Sequence, residues 1–129
     1  DYDNDGDVDL VAYDLFRNDT AAAGNHWLQV RALGGGSDAG TVNAAGLGAV
    51  IRVQAGSRQL LGHVSGGSGT GCQDSQVLHF GLGDATGADS IEVLYPGGAV
   101  VTIAGPIAAD QRVWIRAEGE VGYGFAPPW

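Results

Sequence analysis

Between Asn25 and Glu118 the apolar residues recur at every second position in short bursts, and this alternation confines most of the chain to β-strands. A strand with one buried face repeats every two residues, whereas an amphipathic helix repeats every 3.6, and helical spacing is nowhere sustained. The clearest bursts are Leu28, Val30 and Ala32; Ala49, Ile51 and Val53; Ile91, Val93 and Tyr95; and Val113 with Ile115. Their alternates Gln29, Arg31, Arg52, Gln54, Glu92, Arg112 and Arg116 are expected to face solvent. Weaker candidates at 58–65, 76–82 and 99–105 bring the count to about seven strands, which predicts an all-β antiparallel sandwich or small barrel.

Glycine supplies the turns between these bursts. The 23 Gly and 4 Pro are dispersed, which argues against collagen and Gly-rich disorder. Pro96-Gly97-Gly98 between two strand candidates predicts a hairpin over 89–104, and the polar stretches 34–43 and 65–75 read as surface loops. A length of 129 residues with 44% hydrophobic content is enough for one core. No apolar run approaches the roughly 20 residues of a membrane-spanning helix. The chain has no Met and begins on an aspartate inside a motif, so it reads as a processed or truncated piece. Cys72 is the single cysteine and reads as a small, half-buried residue of a Gly-rich loop.

Charge is concentrated at one end. The net charge is −9, and residues 1–19 hold seven Asp against Arg17, which disfavours nucleic acid and anionic membranes as partners. Asp1, Asp3, Asp5 and Asp9 alternate along a loop with Gly6 at its sixth position. Calcium takes about 6 to 8 hard oxygen ligands, and such a curled loop aims alternate carboxylates at one centre. The expected ligands are the side chains of Asp1, Asp3, Asp5 and Asp9 and the backbone carbonyl of Asp7, with water completing the shell. Without Ca2+ these carboxylates repel one another, so metal binding is expected to be coupled to local order.

An EF-hand would need a bidentate Glu at loop position 12, where Ala12 stands, and a following helix, where DLVAYDLF reads as a strand. Asp1, Asp3, Asp5, Gly6, Asp9 and Leu10 instead resemble the signature of FG-GAP/VCBS repeats, which build integrin-α-like β-propeller blades. A second resemblance covers nearly the whole chain. Phe16-Arg17-Asn18-Asp19, Gly24-Asn25-His26-Trp27-Leu28, Gly46-Leu47-Gly48-Ala49, Gly66-Gly67-Ser68-Gly69, Ser75-Gln76, His79-Phe80-Gly81-Leu82-Gly83 and Tyr95-Pro96-Gly97-Gly98 follow the order of the ASPIC/UnbV domain. It departs from that pattern at 70–74 and at Tyr95. The resemblance implies a β-module following FG-GAP/VCBS repeats, as in cartilage acidic protein relatives and many bacterial secreted proteins. On that division, 1–19 is the calcium loop and strand closing a repeat, 20–118 the ASPIC/UnbV-like domain, and 119–129 an aromatic and Pro-rich tail carrying Tyr123, Phe125 and Trp129.

Other motifs carry less. The 65–71 glycine loop lacks the Lys of a phosphate loop, and Thr70 occupies the last glycine of a nucleophile elbow. His63, His79 and Cys72 match no zinc spacing, and the two histidines read as core or edge residues. Asn18-Asp19-Thr20 is a glycosylation triplet. Together these features point to a non-enzymatic, calcium-binding extracellular or cell-surface module for adhesion, protein interaction or self-assembly. The alternative is a carbohydrate-binding accessory domain of a larger secreted enzyme that uses Trp27 or Trp114 as exposed sugar platforms.

Overall fold

The computed structural model describes residues 1–3, 5–18, 24–35 and 42–125. The strands are β1 (Leu10–Val11), β2 (Leu15–Phe16), β3 (His26–Leu33), β4 (Val50–Ala55), β5 (Arg58–His63), β6 (Val77–Gly83), β7 (Gly87–Leu94), β8 (Val100–Ala108), β9 (Gln111–Arg116) and β10 (Val121–Tyr123). β1 and β2 pair with each other, while the rest form two four-stranded sheets, ordered β10-β9-β3-β6 and β5-β4-β7-β8. The described residues form an all-β sandwich, with no helix and no closed barrel among them.

The alternation seen in the sequence builds the space between the sheets. Leu28, Val30, Ala32, Phe80, Leu82, Val113 and Ile115 from the first sheet meet Ile51, Val53, Ala55, Ala88, Ile91, Val93 and Ile107 from the second in one buried cluster. Ala88 and Ile91 are three residues apart yet both face inward, because a register shift between Ala88 and Ser90 inserts a bulge in the β7–β8 ladder. The Tyr95 hydroxyl, at the end of β7, donates to the Ile115 carbonyl at 2.6 Å and ties the two sheets together. Burial pushes the Tyr95 phenol above its ordinary pKa, so the group stays a donor.

The expected hairpin forms between β7 and β8. Tyr95 N–H donates to Ala99 O at 2.8 Å and Gly98 N–H to Tyr95 O at 3.1 Å, while Gly97 and Gly98 take φ of 91° and 93°. Three features differ from the sequence expectation. β3 and β9 pair in parallel, so the first sheet is mixed. DLVAYDLF folds back as the β1–β2 hairpin instead of one strand. Val121–Tyr123, counted above with the tail, form β10 on the edge of the first sheet.

Burial brings further corrections. Gln29 was expected in solvent and is 4% exposed, because the amino-terminal loop lies over the outer face of the first sheet. Cys72 is exposed rather than half-buried. His63 stands on β5 and His79 on β6, strands of different sheets that do not pair. Asp19 and Thr20 of the glycosylation triplet, most of the 34–43 loop, and Pro127, Pro128 and Trp129 lie outside the described residues.

Candidate metal site

The acidic loop closes on itself before it meets the sheet. Gly6 adopts φ +96°, which L-residues rarely take, and a Cβ there would sit 1.9 Å from Trp27 Nε1. Gly6 therefore serves both the turn and the close approach to β3. Trp27 is also stacked with His79, ring centroids 5.7 Å apart and planes 21° apart. Burial lowers the His79 pKa below its ordinary value, favouring the neutral ring.

Asp1, Asp3 and Asp9 each contribute a carboxylate oxygen to a group whose members lie within 4.8 Å of one another. Asp9 is held from two directions: Oδ1 accepts from Asn18 N–H at 2.8 Å and Oδ2 from Tyr2 N–H at 2.6 Å. Those two bonds, that from Asn18 foremost, keep its carboxyl below the ordinary pKa and ionised. Asp1 Oδ2 accepts from Gln29 Nε2 at 2.5 Å, which fastens the start of the loop to β3.

The other two candidates stand outside that trio. Asp5 Oδ1 accepts from Asp7 N–H at 2.9 Å, an Asx-type turn leading into Gly6-Asp7, and Asp7 is half-buried. Arg17 spans the rim, with Nε 2.9 Å from Asp3 Oδ2 and Nη2 3.8 Å from Asp5 Oδ2. Three convergent carboxylates, with Asp9 ionised by its hydrogen bonds, form a hard-oxygen donor set of the kind that suits Ca2+.

Gln29, Arg112 and Asn18 matter to this arrangement and were not read from the sequence as partners of the loop. One signal for the first two was available: a tryptophan at an outward position of a strand asks for cover, and Trp27 is half-buried under the loop. Trp114 is likewise covered. It is 9% exposed, Gly122 of β10 lies against its ring so closely that a Cβ would come within 2.2 Å, and Arg116 sits 5.7 Å from the ring centroid. Trp114 therefore lacks the exposed face that sugar stacking needs, whereas Trp27 is half-buried.

A family model described as ASPIC and UnbV matches residues 39–121. The matched stretch begins after β3, although β3 occupies an inner position of the first sheet between β9 and β6. No curated protein matches the chain, and no solved structure does.

Proposed function

From a chain that belongs to the ASPIC and UnbV family, with an acidic loop fastened to its first sheet, we propose a non-catalytic calcium-binding module of the extracellular space or cell surface. The observation that carries this reading is the convergence of the Asp1, Asp3 and Asp9 oxygens within 4.8 Å of one another. The D-x-D-x-D-G-x-x-D-L pattern from Asp1 to Leu10, with its FG-GAP/VCBS resemblance, supports it independently of geometry. Asp5 side-chain and Asp7 backbone oxygens lie on the same loop and would complete the shell with water. A bound calcium ion supplies positive charge that offsets carboxylate repulsion and orders the loop.

The role served is adhesion, protein interaction or assembly of a larger surface structure. Large apolar side chains of the loop and first hairpin support a protein partner: Tyr2, Leu10, Val11 and Phe16 are each more than half exposed. The test is calorimetric titration with calcium and, separately, magnesium, beside Asp9→Asn, followed by sedimentation with calcium or chelator. Binding selective for calcium and lost in Asp9→Asn is expected, with association that depends on the ion. Absence of calcium binding by the unaltered chain sinks the reading.

A further inference from the structure

Gln29 lies between the inward-facing Leu28 and Val30 and is the buried polar side chain among the described residues, at 4% exposure. Both ends of its amide are engaged. Nε2 donates to Asp1 Oδ2 at 2.5 Å, while Oε1 accepts from Arg112 Nε at 2.8 Å and Nη2 at 2.5 Å. A primary amide has one donating and one accepting end, and these partners fix which is which. Flipped, it would point an oxygen at the Asp1 carboxylate and an NH2 at the guanidinium, replacing charge-assisted bonds with repulsive contacts.

Arg112 extends the connection. Its guanidinium lies 4.7 Å from the centroid of the Phe125 ring, and its carbonyl accepts from Gly124 N–H at 2.8 Å. Contacts therefore run without a break from Asp1 through Gln29 and Arg112 to the segment after β10.

We infer that Gln29 is the positioning residue of the acidic site: oriented by Arg112, it fixes the Asp1 carboxylate and links cation occupancy to the order of Gly124 and Phe125. The inference rests on the calcium reading above. A carboxylate already held in one rotamer loses little freedom when it binds an ion, and partners of this kind typically govern about 10- to 100-fold in metal affinity. The same amide connects Asp1 to the guanidinium directly, because its two ends bond to one and the other.

The experiment titrates calcium into the unaltered chain, Gln29→Leu and Arg112→Leu, and follows amide hydrogen exchange at Gly124 with and without the ion. The unaltered chain binds calcium and its Gly124 amide exchanges more slowly when the ion is bound. Gln29→Leu binds about tenfold more weakly or worse, and its Gly124 exchange no longer responds even at saturation. Arg112→Leu weakens binding too, since the amide loses its orientation. Affinity in Gln29→Leu within twofold of the unaltered chain, or a retained response at Gly124, overturns the inference alone. If Gln29→Leu does not fold by circular dichroism, unchanged affinity in Arg112→Leu overturns it. An unaltered chain that binds no calcium overturns the calcium reading and this inference together, so the two failures have different signatures.

Discussion

At Gly6 a single hydrogen atom decides whether the amino-terminal loop can lie on the sheet. Gly6→Ala meets both the positive φ and the Trp27 ring, and strain of this kind costs about 1–3 kcal/mol. The expected outcome is a loop detached from β3, read as a shift of tryptophan emission to longer wavelength and faster proteolysis within residues 1–18. His79 gives a second prediction. Burial favours its neutral ring in the fold, whereas the unfolded chain takes up the proton near the ordinary 6.5. The associated stability is complete above that value and is lost as pH falls through the window below it. Thermal midpoints should therefore fall between pH 7.5 and 5.5, and His79→Phe, which keeps a ring beside Trp27, should flatten that slope. The loop that brings Asp1, Asp3 and Asp9 together around Gly6 was visible in the sequence as a pattern, because it spans only nine residues. Gln29 was not, since its partners Asp1 and Arg112 are 28 and 83 residues away and its position in the strand says only that it points outward.

Among the elements, the turn after β7 is the most local in origin: Pro96 sets one dihedral, and Gly97 and Gly98 accept the positive φ that closes it. Tyr95, next to that turn, works over a longer range by bonding to Ile115 in the opposite sheet. Tyr95→Phe keeps the ring and deletes the bond, so it should lower the free energy of unfolding by about 1 kcal/mol in a denaturant titration. All seven strands predicted from alternation are present, with ends displaced by a few residues. The pairing of β3 with β9 was not readable, because period-two patterning identifies a buried face and says nothing of which strand lies alongside. The β1–β2 hairpin escaped notice for a related reason: with two-residue strands, neither arm is long enough to show a period. Pro106 within β8 is compatible with that strand's place at a sheet edge.

For the whole molecule, the core cluster draws all its residues from Leu28 onward, and the amino-terminal loop contributes to the outer face only. Removing residues 1–18 should therefore leave a chain that still unfolds cooperatively, with tryptophan emission shifted as Trp27 loses its cover; loss of a cooperative transition would show that the loop is part of the core. Sandwich architecture was legible because it follows from many short amphipathic strands and turn signals. The layer lying over the first sheet was not, because polar residues such as Gln29 and Arg112 look the same in sequence whether water or another segment covers them. The side-by-side placement of β3 and β9 also constrains how the polypeptide assembles: Leu28 aligns with Gln111, so every strand from β4 to β8 must be synthesised before that seam can close. During translation, β3 is exposed long before its later neighbour emerges, and such distant pairing places the protein among slow folders, on the order of milliseconds to seconds.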